Sequence, residues 1–177
     1  MTLPDLLVST AVLGLTLGAA LTTLEQGQRT WDAGVARVEA QQSGRAALAW
    51  LAAELRAAGQ GPGPRRIATL MIAEPARVAL RVDRNRDGAI AGGTEEITWR
   101  LAGDVLRRDA GGGAQPVVNG VRALTLAYFD AAGAPTTVPG AVRRIAVTLV
   151  TGADRAIALH ARGLGAVFST DVHLRNQ

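Results

Sequence analysis

Few residues in this sequence are of types that do chemistry, and oxygen donors dominate them. Asp83-x-Asn85-x-Asp87-Gly88 sets side-chain oxygens on alternate residues ahead of a glycine for a tight turn. That is the first half of an EF-hand-like calcium loop, with Asp83, Asn85 and Asp87 as the candidate Ca2+ ligands. The second half fits less well, because the twelfth loop position is Thr94 and Glu95 and Glu96 arrive one and two residues late. Asp, Asn and Gly in this order also make a polar hairpin tip that needs no metal. Ser169, Asp171 and His173 have the side chains of a hydrolytic relay, but alternate residues of one extended segment point the same way and cannot form one. His160 lies in a strand pattern and reads as a packing or surface residue. With two histidines and no cysteine, zinc is not expected. Gly111-Gly112-Gly113 has neither the following Lys nor the helix signal of a phosphate loop, so no enzymatic turnover is expected.

The other chemically pointed residue is Asp5. It stands at the head of a charge-free run from Leu6 to Leu24, about nineteen residues, long enough at 1.5 Å per residue to cross most of a hydrocarbon core. A carboxylate buried there costs several kcal/mol unless a cation meets it. The α-amino group of Met1, from the same chain or a neighbour, is the expected partner, and an acid in the first turn also suits the helix dipole. A signal peptide or ordinary anchor carries basic residues before its apolar run, whereas here the first basic residue is Arg29. The chain is therefore expected to begin at a cut site from which a basic leader was removed.

The elements that position these groups follow from periodicity. After Glu25 an amphipathic helix is expected, with Trp31, Val35, Val38, Leu48, Leu51 and Leu55 on its apolar face and Glu39, Arg45 and Glu54 among its polar positions. It stops near Ala58, where Gly59-Gln60-Gly61-Pro62-Gly63-Pro64 supplies a C-cap and residues that cannot continue the ladder. From Ile67 the period shifts toward two. Val78, Leu80 and Val82, then Ile97, Trp99 and Leu101, predict a hairpin with one buried face. Further strands are expected at Val105 to Arg108, Leu124 to Phe129, Ile145 to Val150 and Ala156 to Ala161, with an edge strand at Val172 to Arg175. Gly111 to Gly113 and Ala131 to Gly140 read as exposed loops. Helix first and strands afterwards predicts an α+β fold, one long helix packed against an antiparallel sheet head. The organisation is 1–24 for the membrane or filament-core half of the helix, 25–58 for its amphipathic half, 59–66 for a linker and 67–177 for the head.

Composition narrows the partners. The net charge is +4 and every basic side chain is Arg. Arg65-Arg66, Arg107-Arg108 and Arg143-Arg144 are scattered among carboxylates without interleaved aromatics, so nucleic acid is not the expected partner.

Met1-Thr2-Leu3-Pro4-Asp5-Leu6-Leu7-Val8 resembles the mature end of the type IV prepilin processing motif, with Asp5 at the position of the family's glutamate and Pro4 in place of an aliphatic residue. Ala53 to Gly59, Asp83 to Gly88, Leu106-Arg107-Arg108-Asp109 and Leu174-Arg175-Asn176 resemble, in order and spacing, the PilW-like minor pilins and the J-type pseudopilins of type II secretion. The resemblance implies a substrate of prepilin peptidase, with Met1 exposed by cleavage and methylated. It also implies a Met1–Asp5 charge pair that registers the subunit against its neighbour. The implied life cycle starts in a bacterial inner membrane with the head in the periplasm and ends in an extracellular pilus or periplasmic pseudopilus. Other pilin and minor pilin subunits, and a tip adhesin, are the implied partners. Gly14, Gly18 and Thr22-Thr23 weaken the membrane half of the helix, which is expected to unwind locally on assembly. The implied role is initiation of the filament or formation of its tip complex, and the alternatives are a type II secretion pseudopilin, a major filament subunit, or a filament head that binds DNA or a surface.

Overall fold

Thr2 and Asp5 start the helix. In the computed structural model, which describes residues 2–62, 68–152 and 165–176, Thr2 is extended and its backbone N–H donates to Asp5 Oδ2 at 2.9 Å. Pro4 sits in the first turn, where its missing N–H costs no helical bond. Helix α1 then runs unbroken from Leu3 to Ala57, 55 residues, or about 80 Å. Gly14 and Gly18 do not interrupt it. The hydroxyls of Thr22 and Thr23 both donate back to the Ala19 carbonyl at 2.9 Å, a bond that weakens a helix locally without ending it. At the far end Gly59 takes φ +73°, its N–H donates to the Arg81 carbonyl, and the Asn176 side-chain amide donates to the Ala58 carbonyl at 3.1 Å. The C-terminal tail thus ties down the helix end.

Among the described residues eight strands follow: β1 Leu70–Glu74, β2 Arg77–Arg81, β3 Glu96–Ala102, β4 Val105–Asp109, β5 Gln115–Val118, β6 Val121–Phe129, β7 Arg144–Gly152 and β8 Gly165–His173. They form two antiparallel sheets, β1-β2-β3-β4-β5 and β6-β7-β8. The expected α+β arrangement of one long helix against an antiparallel head is the observed one. The hairpin of Val78 and Leu80 with Ile97 and Trp99 pairs in the register Val78↔Trp99 and Leu80↔Ile97, all four fully buried. Strands β1 and β5 were not anticipated, and the C-terminal strand starts at Gly165, well before the expected Val172. Both differences have one cause: these segments are half exposed or carry Pro116, Ser169, Thr170 and Asp171, so their alternation is faint. The expected strand at Ala156 to Ala161, and His160 with it, lies outside the described residues, as do Met1, Arg65 and Arg66.

The amphipathic half of α1 is corrected in one respect. Leu48, Leu51 and Leu55 are buried against the head, with Gly44 and Ala47. Trp31, Val35 and Val38 are exposed, Trp31 at 74%. Steps of three and four residues drift around the helix, so the two groups, read in sequence as one stripe, face different ways. Gly44 is the point of closest approach: a Cβ there would lie 2.5 Å from the Phe168 ring of β8. Leu51 and Leu55, at 1% and 0% exposure, each contribute about 1.5–3 kcal/mol by leaving water.

Candidate functional site

Three sets of polar side chains stand out once the elements are in place. The first is the start of α1. Asp5 Oδ2 accepts from the Thr2 N–H, so the carboxylate already caps the helix while its other oxygen stays exposed at the chain's end. From there the helix stands clear of the head. Its most apolar stretch is long and apolar enough to cross a membrane, and none of that stretch is buried within the chain.

The second set is the loop between β2 and β3. Asp83 is 4% exposed; its Oδ1 accepts from the Arg86 N–H and its Oδ2 from the Gly88 N–H at 2.9 Å. Asn85 Oδ1 accepts from the Asp87 N–H, Asn85 Nδ2 donates to Asp87 Oδ2, and Asp87 Oδ1 accepts from the Ala89 N–H. The three predicted ligands lie on one turn, where Asn85 and Asp87 bond each other and Asp83 bonds the backbone. That turn forces Arg86 to φ +61° and Gly88 to φ +81°, and Arg86 bears the steric cost of a side chain in the left-handed region. The sequence reading missed the fourth member. Glu95, set aside as a residue late, is 3% exposed and folds back so that Oε2 accepts from the Ala91 N–H and Oε1 meets the Asn85 N–H. Glu96 instead pairs with Arg81 across the hairpin, Arg81 donating at 2.8 Å. Asp83, Asn85, Asp87 and Glu95 are the donors that could hold a hard cation. As the loop stands their oxygens serve backbone N–H groups, and among the described residues no three His, Asp or Glu side chains gather closely enough to ligate a metal.

The third set sits where α1 meets the five-stranded sheet. Glu54 reads in sequence as a polar surface position and is in fact 7% exposed. Arg108 donates to it from Nη2 and from Nε, the shortest bond being 2.6 Å. Trp99 Nε1 donates to its other oxygen at 2.6 Å, and Arg84 adds a bond at 3.2 Å. Trp50 packs edge-on against Trp99, and the Arg108 guanidinium lies 5.0 Å from the Trp50 ring centre. A helix residue, a β3 residue, a β4 residue and the first residues of the β2–β3 loop meet at one carboxylate. Sequence could have hinted at this only through the mismatch of an acid at i+3 from Leu51.

Ser169, Asp171 and His173 lie along β8 opposite Thr148, Ala146 and Arg144. Asp171 accepts from Arg144 Nη1 at 3.2 Å, and among the described residues no hydrogen bond joins the three. No protein-family model matches the chain, and no curated protein matches it.

Proposed function

We propose that this protein is a filament subunit of the type IV pilin kind, a minor pilin held in the inner membrane by α1 before it assembles. One observation carries the reading: α1 bears an uncovered apolar strip that outruns a bilayer. Leu17, Leu24, Trp31 and Val38 recur every seven residues, with Leu13 before them and Ala20, Gly27 and Gly34 between them. At about 100° per residue this strip lies roughly opposite the positions buried against the head. Glu25, Arg29, Asp32 and Glu39 lie off it. From Leu6 to Val38 the helix is about 50 Å long, against about 30 Å of hydrocarbon. Lipid can cover the run to Leu24, but the stretch around Trp31 needs protein. Gly27, Trp31, Gly34, Val35 and Val38, with Thr30 and Glu39, line a shallow groove there, and a Cβ added at Gly27 or Gly34 would touch nothing in this chain. A glycine costs a helix about 1 kcal/mol relative to Ala, which another helix packing closely against it offsets.

In this reading the Met1 amine and Asp5 register one subunit on the next, prepilin peptidase makes and methylates that amine, and the head carries the surfaces that meet sister subunits. The test is made in cells. Asp5→Ala is expected to leave the amount of membrane-bound protein unchanged and to lower its recovery in sheared filaments at least tenfold, with Asp5→Glu near wild type. Intact mass should show a methylated Met1. Recovery of Asp5→Ala at the wild-type level would sink the reading.

A second reading concerns the β2–β3 loop, and its favouring observation is burial. Asp83 and Glu95 are both nearly inaccessible, yet among the described residues neither is ion-paired. Two buried carboxylates satisfied by N–H groups alone leave negative charge that a hard cation offsets. Calorimetry with Ca2+ on the full chain in neutral detergent should give heat that Asp83→Ala and Asp87→Ala both abolish. No heat from the wild type ends the idea.

A further inference from the structure

Strand pairing builds a charged row that no stretch of sequence displays. Arg77 of β2 lies opposite Arg100 of β3, and Arg100 lies opposite Arg107 of β4. Directly opposed residues share a face of the sheet, so the three arginine side chains leave the same face, the one away from Trp99 and the core. At about 4.8 Å per strand the row spans about 10 Å. Arg77 and Arg100 are exposed and Arg107 is half-buried.

Like charges in direct cross-strand opposition destabilise a sheet, and little in the chain relieves these. Among the described residues neither Arg77 nor Arg100 makes a side-chain hydrogen bond or ion pair, while Arg107 donates to the Ala114 carbonyl at 3.1 Å. The acids of this face are largely engaged elsewhere. Glu96 is neutralised by Arg81, Asp109 accepts from the Gly111 N–H, and only Glu74, opposite Arg77 on β1, continues the row with the other sign. Thr98 and Ala102 flank Arg100 along β3 with small side chains, so a rod can lie flat on the row.

We infer that this row binds the phosphodiester backbone of duplex nucleic acid without reading its sequence. Guanidinium forks match phosphate oxygens in pairs. The face lacks the aromatic platform that single-stranded bases stack on, and it lacks the aromatic or apolar centre of a protein interface. The inference lies beyond the filament reading and stands without it. It also explains why adjacent arginines mislead: in Arg107-Arg108 successive residues of β4 point to opposite faces, one to the row and one to Glu54.

The test is fluorescence anisotropy of a labelled mixed-sequence duplex with the full chain in neutral detergent, from 50 to 200 mM NaCl. Three neutralised phosphates predict a log–log salt slope of about −2.7, hence about 40-fold weaker binding across that range. Substituting Arg77, Arg100 and Arg107 together by Gln should abolish binding while the protein melts no lower, and Arg56→Gln, on the exposed side of α1, should change nothing. Binding that survives the triple substitution with its salt slope intact overturns the inference. So does tighter capture by phosphatidylglycerol vesicles or an acidic polysaccharide than by the duplex.

Discussion

Glu54→Ala is expected to remove about 3–5 kcal/mol of stability, although Glu54 lies on α1 and not in the head. The cost is not one lost contact. Truncation leaves Arg108, 16% exposed in its side chain, as a buried charge with no carboxylate, and leaves the Trp99 indole N–H without an acceptor although Trp99 is fully buried. Arg84 loses its partner too, but as it is nearly half exposed water replaces that bond at little cost. Urea unfolding followed by tryptophan fluorescence measures the effect. Glu39→Ala, at an exposed position on the same helix, should stay within about 0.5 kcal/mol. Replacing the pair together, Glu54→Leu with Arg108→Met, should recover the part of the loss that comes from the stranded Arg108 charge, but not the part that comes from the buried Trp99 N–H, which stays without an acceptor. A Glu54→Ala loss below about 1 kcal/mol would show that the carboxylate is not the joint between helix and head.

Stability is expected to fall above pH 10 by about 1.4 kcal/mol per pH unit, and Tyr128 is the cause. Its hydroxyl donates to the Glu74 carbonyl at 2.8 Å, with the Arg77 carbonyl at 3.2 Å, between the two sheets. Burial first, and the Glu74 charge second, push the phenol well above its ordinary value near 10. In the unfolded chain the proton leaves near pH 10, whereas in the folded chain it stays. Above pH 10 the unfolded state therefore binds fewer protons, and each further unit of pH favours unfolding. Few other side chains blur this. The chain has no Lys and no Cys, Tyr128 is its one tyrosine, and Arg stays charged. Tyr128→Phe should lose about 1 kcal/mol at neutral pH through its hydrogen bonds and show a flat profile from pH 9.5 to 12. A wild-type profile equally flat over that window would place the phenol in water.

How far function could be read before folding depends on the range of the interactions involved. Helix capping, the charge-free run, the Gly59 stop and the β2–β3 turn are made by residues within a few positions of one another, so residue order carries them. Asp83, Asn85 and Asp87 lie together because three consecutive alternate positions of one turn cannot lie elsewhere. Glu95 escaped because its reach into the loop depends on the short turn at Gly93–Glu95, not on spacing.

The sequence by itself determined a long N-terminal helix with an apolar run and an acid at its head, a helix end at Ala58, and a β-rich remainder, since periodicity and local chemistry act along the chain. Only the tertiary structure decided which face of that helix the head covers, that Glu54 is buried against Arg108 and Trp99, that the strands divide into two sheets, and that Arg77, Arg100 and Arg107 share a row. These are set by strand register and by the angle at which helix meets sheet, and apart from the tight β3–β4 hairpin both arise from packing between residues tens of positions apart, where no local pattern records which partner is met.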